Sequence, residues 1–370
     1  MEKKAAIARR LRLLRRALKK AKLSALLFTN PITRQYLSGF TGTAGTLLVT
    51  EERALLYTDF RYTERALDEV PSCITVSEVS RELKKVISAE LKRLLSKRIG
   101  FEDATTSVAE FETLRRLFRS SIFVPVKEMV TTLRSIKDDA EVEDLKRAIA
   151  ITDAVFAKTV RWLKRAKRSN HLLTEEAVSD FIRHSVHEEH GAELAFPSIV
   201  ASGPNAARPH HEPTNRRLKK GESMVIDIGA KINGYHADMS RTIFLGAPSA
   251  TLEHMYATTL RAQQRAYRYL RAGGRSAEKA DAVSRDYINI HYPGAFGHSL
   301  GHGVGLEIHE APTLGPKSKH RLRSGMVFSL EPGIYVPNVG GVRIEDLACT
   351  DGASCRYLSK SPKSLKDSIL

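Results

Sequence analysis

The sequence predicts an α+β protein of two domains: an N-terminal α/β layer domain over residues 1–133 and a larger C-terminal domain over residues 134–370. Three observations carry this reading. The chain has 370 residues, more than one ordinary core accommodates. Its first third alternates short apolar strands with helices. Near residue 133 the pattern changes to long amphipathic helices separated by β-rich segments.

Taken in order, residues 1–22, MEKKAAIARRLRLLRRALKKAK, set Ile7, Leu11, Leu14 and Leu18 at helical spacing and read as an amphipathic helix. The stripe runs into LSALLFTNP, whose SALLFT is the first expected strand. AGTLLVTEERALLYTD reads as a hairpin and SRELKKVISAELKRLLSK as a helix. From Ser135 onward, Val142, Leu145, Ile149, Phe156, Val160 and Leu163 mark one face of a long helix. It is opened by an acidic run suited to its N-terminal dipole. A second helix is expected from about Thr174 to His190, closed by Gly191, and a third from Leu252 to Ala272, stopped by Gly273 and Gly274.

The formal net charge is +17, and residues 1–22 alone hold ten Lys or Arg against one Glu, over half of that excess. A charge run on a helix is usually a solvated face. An apolar stripe continuous with the first strand ties this helix to the core, so no nucleic-acid or membrane partner is expected, nor a cleavable transit peptide. No apolar run approaches the ~18 residues of a membrane span, and no secretory leader is evident; a cytoplasmic location is expected. Cys73, Cys349 and Cys355 lack the number and spacing of a disulfide framework or thiolate site, and are expected to be reduced.

The unusual chemistry lies in the β-rich segments. In SMVIDIGAKINGYHADMSRT, Asp227 sits among Val225, Ile226 and Ile228, and Asp238 follows eleven residues later. A hairpin turning at Asn233 and Gly234 would bring the two together; the alternative is that Asp238 merely pairs with Arg241. Glu331 follows the apolar run Met326–Leu330, and Glu345 lies between Ile344 and Asp346 in another apolar strand. An ionised carboxylate in such a place is costly without a cation. Four of them call for divalent ions, completed by an imidazole. That ligand set suits Mn²⁺, with Co²⁺ or Zn²⁺ as alternatives.

These residues fall within FPSIVASGPNAARPHHEPT, VIDIGAKINGYHADMSRT, GHSLGHGVGLEIHE, SLEPGIY and GVRIED, an ordered set that resembles the pita-bread metallopeptidases. That family includes aminopeptidase P, prolidase and, more distantly, methionine aminopeptidase. YLSGFTGTAG and LLYTDFRYTERA resemble the creatinase-like N-terminal domain of its proline-specific members. The resemblance implies a C-terminal pita-bread catalytic domain, two divalent metal ions, proline-containing peptides as substrate and a homodimer.

Carried over to this sequence, the resemblance makes Asp227 a chelator of one metal, Asp238 and Glu345 bridges of both, and His302 with Glu331 the remaining ligands of the other. It places His298, His309 and His210 along the substrate. Glu331 doubles as the group that moves the water proton. Arg343 orients the region of Glu345, and Tyr335 forms part of the site wall. His211 departs from many relatives, which carry a small residue there, and bears on access to the mouth of the site. His184, His187 and His190 lack a helical metallopeptidase pattern and read as a solvated helix face.

The resemblance implies cleavage of a bond preceding proline. No insertion in the N-terminal domain is seen that would plug the far end of the groove, so an Xaa-Pro aminopeptidase is expected, with an Xaa-Pro dipeptidase as the alternative. A metal-free relative or a binding scaffold on the same fold would have lost ligands; this chain fills all five positions.

Overall fold

The computed structural model describes every residue except 1, 80–82, 94–97, 127, 170–172 and 189–190. The chain divides into two compact units, Met1–Arg134 and Ser135–Leu370.

In the first unit six strands form one sheet in the order Thr75–Glu78, Ala54–Thr58, Thr46–Thr50, Ala25–Phe28, Arg98–Phe101, Ile122–Pro125. Thr46–Thr50 is antiparallel to both neighbours, while the outer pairs are parallel. The expected hairpin is present, with Val49 opposite Ala54. Helix Glu2–Lys20 buries Ile7, Leu11, Leu14 and Leu18 and leaves Arg9, Arg12, Arg16, Lys19 and Lys20 exposed. Arg10 departs from that division. It is buried, donates to the Tyr36 carbonyl at 2.9 Å and lies 4.4 Å from the centre of the Tyr36 ring. Within SRELKKVISAELKRLLSK a helix spans Leu83–Lys92; both ends of that stretch lie outside the described residues.

The second unit opens with helix Asp139–Arg168. Asp138 accepts from the Glu141 N–H at 3.1 Å, and the Glu141 carboxylate accepts from the Asp138 N–H at 3.1 Å, a capping box that fixes where the helix starts. Helix Glu175–Glu188 follows, with His190 outside the described residues. Helix Ala250–Arg271 ends before Gly273, whose φ of 91° is the left-handed stop. Helix Ala277–His291 was not anticipated. Its buried face is Ala277, Ala280, Asp281, Ser284 and Ile288, too small and polar to register as an apolar stripe.

The helices Asp139–Arg168 and Glu175–Glu188 pack with Ser223–Ile228 and Met239–Phe244 around Phe156, Leu163, Ile182 and Ile226. Helices Ala250–Arg271 and Ala277–His291 pack against a five-stranded sheet around Met255, Leu270, Ile288 and Phe328. Each large side chain buried this way contributes about 1.5–3 kcal/mol. The site lies where the strands of the two cores meet. Among the described residues no helix is long and apolar enough to cross a membrane, and Cys73, Cys349 and Cys355 are free thiols.

Candidate metal centre

Local geometry brings Asp227 and Asp238 together. Ser223–Ile228 and Met239–Phe244 pair antiparallel with Asp227 opposite Ser240. Between them a smaller hairpin, Ala230–Ile232 with Tyr235–His236, turns at Asn233 and Gly234, whose φ values are 52° and 86°. Those left-handed values are what a two-residue hairpin turn demands. At Gly229 a Cβ would stand 1.9 Å from the Ala237 carbonyl oxygen, so only glycine permits this closure. Arg241 does not pair with Asp238. It is buried and donates to Asp346 Oδ1 at 2.7 Å.

The remaining acids and the imidazole arrive on other strands. His302 lies on Gly301–Gly303, beside a register shift that re-aims the chain. Glu331 follows Val327–Leu330, and its N–H donates to the Leu300 carbonyl at 2.8 Å. Glu345 stands between Gly340–Arg343 and Asp346–Asp351; its N–H donates to the Ser240 carbonyl at 3.0 Å, fastening it to the first hairpin.

One ligand atom from each of Asp238, His302 and Glu345 lies within 4.8 Å of the others. His302 Nδ1 is 3.1 Å from the Gly303 carbonyl, so that nitrogen carries a proton and donates it. Its Nε2 therefore turns toward two carboxylates, 3.2 Å from Glu331 Oε1 and 3.6 Å from Asp238 Oδ2. A lone pair facing acids is repulsive unless a proton or cation lies between. Asp227 Oδ1 and Glu345 Oε1 are also buried with no hydrogen-bond partner among the described residues, a costly state for an acceptor. Divalent cations satisfy the bare nitrogen, the orphaned oxygens and the excess negative charge together, so the residues fit such ions.

The electrostatics follow from this crowding. Burial, then the charges of Glu345, Asp227 and Glu331, hold the Asp238 carboxyl well above its ordinary range. Burial and the charges of Glu331 and Asp227 do the same to Glu345. Burial would also raise Glu331, but the hydrogen bond and charge of His302 bring it down to about 2. His302 is raised in return, Glu331 outweighing the effect of burial.

A cleft of about 530 Å³ opens over these groups, walled by Phe196, Pro197, Ile199, His210, Ile308 and His309. The His302 and His309 rings meet edge to face at 4.3 Å. Burial, then the His302 charge, lowers the His309 pKa. His298 Nδ1 donates to the Ser299 carbonyl at 2.9 Å, leaving Nε2 to accept from the Tyr335 hydroxyl at 2.9 Å. Burial lowers the His298 pKa and pushes Tyr335 up to about 12, which keeps the pair neutral. The Tyr335 hydroxyl accepts in turn from Arg343 Nη1 at 3.0 Å. His210 is exposed on the cleft wall. His211 is buried, its Nε2 2.9 Å from Glu175 Oε2. His184 and His187 lie exposed on their helix.

Two serines complete the centre without having been anticipated. Ser240 Oγ donates to Glu345 Oε2 at 2.8 Å and accepts from Arg343 Nε at 2.8 Å. Ser329 Oγ donates to Glu331 Oε1 at 3.0 Å and accepts from the His302 N–H at 3.0 Å. Each stands two positions from an acid, Ser240 after Asp238 and Ser329 before Glu331, the spacing that shares one strand face. That spacing was the available signal.

Comparison with known proteins agrees with this geometry. The description "Metallopeptidase family M24" matches residues 143–350, and "Creatinase/Prolidase N-terminal domain" matches residues 10–136. The solved Xaa-Pro dipeptidase from Bacillus anthracis is 34% identical with a TM-score of 0.90, covering 97% of this chain and 99% of that one. The X-Pro aminopeptidase from Thermotoga maritima is 32% identical with a TM-score of 0.86, covering 94% of this chain and 99% of that one. The Xaa-Pro dipeptidase of Pyrococcus furiosus is 30% identical over 345 residues, 93% of this chain and 95% of the relative. With the carboxylates and imidazole of a divalent-ion centre converging in its cleft, this chain belongs to metallopeptidase family M24.

Proposed function

We propose that this protein is an Xaa-Pro dipeptidase that uses two divalent ions, Mn²⁺ in the first instance with Co²⁺ or Zn²⁺ as alternatives. The observation that carries the reading is His302 Nε2 turned toward Glu331 and Asp238 inside the cleft, on a chain alike in nearly its whole length to dipeptidases of the family. Sequence reasoning favoured an aminopeptidase because no plugging insertion is visible. The likeness to relatives named as dipeptidases moves the preference to the alternative.

In this reading Asp227, Asp238, His302, Glu331 and Glu345 hold the ions. When bound, such ions polarise the scissile carbonyl and make water acidic enough to attack near neutral pH. The Glu331 carboxylate takes the proton of the attacking water and returns it to the leaving nitrogen. That step matters for proline, whose amide nitrogen carries no hydrogen of its own. His309 and His298 stand beside the reacting bond, His309 as a donor to the carbonyl, while His210 faces the far side of the substrate. Arg343 holds Asp227 and Tyr335 in place through a charged fork. A homodimer working in the cytoplasm is part of the same proposal.

The Thermotoga maritima aminopeptidase, alike over 94% of this chain, supports a second reading, an Xaa-Pro aminopeptidase. A length series separates the two. Metal-stripped protein is given back Mn²⁺, Co²⁺ or Zn²⁺ and offered Ala-Pro, Ala-Pro-Ala and a pentapeptide beginning Ala-Pro. Cleavage confined to Ala-Pro is expected. Cleavage of the longer peptides establishes the aminopeptidase instead, and inertness toward all three overturns both.

A further inference from the structure

Glu175 is fully buried at the start of helix Glu175–Glu188 and belongs to neither the metal ligands nor the substrate groups. Its two oxygens collect the chain that leads into and out of His210. Oε1 accepts from the Ser202 N–H and the Ser202 hydroxyl, each at 2.7 Å, and from Asn205 Nδ2 at 3.1 Å. Oε2 accepts from His211 Nε2 at 2.9 Å, the Thr214 N–H at 3.1 Å and the Thr214 hydroxyl at 2.8 Å. Asn205 reaches this oxygen too, at 3.2 Å. On the other side of His210, the Pro209 carbonyl accepts from Arg343 Nη1 at 3.1 Å. His210 is therefore held between two anchors, one of them on the guanidinium that binds Asp227.

We propose that Glu175 is a positioning residue: an ionised carboxylate around which the segment 202–214 is folded so that His210 stands at the cleft wall and substrate affinity is set. This rests on the reading above that His210 faces substrate. The need for a carboxylate follows from donor arithmetic. Hydroxyls can rotate and an imidazole can change tautomer, but a backbone N–H cannot reverse. Each oxygen of Glu175 meets one such N–H, Ser202 on one side and Thr214 on the other. A glutamine in either orientation sets its NH₂ against one of them, and a shorter aspartate cannot span both. Hydrogen bonds from His211, Ser202 and Thr214 outweigh burial and hold the Glu175 pKa below its ordinary value, in keeping with that ionised form.

The test uses the full-length metal-loaded enzyme with Ala-Pro as substrate, and three readouts. Glu175→Gln is expected to raise KM about tenfold, the worth of a lost charge-assisted hydrogen bond. The value of kcat should stay within about threefold. Metal content by mass spectrometry should be unchanged. Amide hydrogen exchange should quicken in 202–214 and not in Ser223–Ile228. Unchanged KM, or unchanged exchange in 202–214, overturns the proposal; so does loss of metal and kcat together at constant KM. Thr214→Val, which removes a single hydroxyl donor, should raise KM by a smaller factor. Should Glu175→Gln fail to fold, an unaltered KM in Thr214→Val overturns the idea. A wild-type enzyme inert to Ala-Pro would defeat the dipeptidase reading alone, since exchange in 202–214 still decides the role of Glu175.

Discussion

Arg343 Nη2 lies 2.7 Å from Asp227 Oδ2, and both side chains are almost withdrawn from water. The guanidinium also donates to Ser240, Tyr335 and Pro209, so all three of its nitrogens are engaged. Removing the cation leaves Asp227 buried and unpaired. Arg343→Leu should destabilise the metal-free protein by about 3–5 kcal/mol, the cost of breaking a buried pair. Arg343→Lys should recover little, because an ammonium cannot reproduce the fork. Denaturant midpoints measure both, and a wild-type midpoint in Arg343→Leu would contradict the pairing.

Stripped of metal, the centre should make stability depend on pH in a particular direction. Asp238 and Glu345 have folded pKa values raised by burial and by neighbouring acids. The folded state therefore binds more protons than the unfolded one. Their contribution is fully present below the unfolded carboxylate value and is lost as pH rises through the raised folded values. Glu331, held at about 2, works oppositely. Its contribution is present above the unfolded value and lost as pH falls through about 2. The melting temperature of chelator-treated protein should fall as pH rises above the ordinary carboxylate range, and added metal should suppress that fall. Calorimetry that finds the stripped protein more stable at the higher pH would refute the account.

Ligands and neighbours should separate by metal content. Asp238→Ala should abolish activity and metal binding while the fold survives, since the change removes repulsion along with a ligand. His302→Ala should lose metal and turnover together. His309→Ala should keep its metal and lose turnover by about 10²–10⁴-fold, the usual worth of a positioned proton donor. Equal metal loss in the two histidine variants would mean the ligand lies elsewhere.

The N-terminal helix should behave as structure on one face and as solvent on the other. Leu14 is completely buried, and Leu14→Ala should cost about 2–5 kcal/mol. Arg12, exposed on the opposite side, should change stability by no more than about 0.5 kcal/mol when made alanine. Deleting residues 1–20 should lower the melting temperature. A truncated protein of unchanged stability that had lost binding to RNA or anionic lipid would favour an interaction role.

Much of this was legible because buried acids violate an apolar pattern. Asp227 lies inside an apolar strand and Asp238, Glu331 and Glu345 each directly adjoin one, where nothing ionised belongs, and Gly234 announces the turn between the first two. The supporting hydroxyls were harder to read, since the two-residue spacing from an acid is their single signal and their partners Glu345, Arg343 and the His302 N–H meet them only in the fold. Glu175 was hidden for a different reason. It reads as a helix-start acid, and only the fold reveals the loop gathered on it. The partner of Arg241 was open for the same cause: Asp238 is three residues away, but the sheet delivers Asp346 instead.

Two acids of the centre stand on the hairpin that ends at Phe244, and Glu345 arrives 107 positions after Asp238, beyond two whole helices. At about 5–20 residues per second, a ribosome needs roughly 5–20 s to cover that stretch. Within that interval His302 and then Glu331 emerge, and until Glu345 follows the polypeptide holds an incomplete ligand set. The five candidate ligands are therefore all present only once Glu345 has been made. Two fragments parted between Gly273 and Gly274 would divide the five candidate ligands two and three, and divalent ions should favour their reassociation.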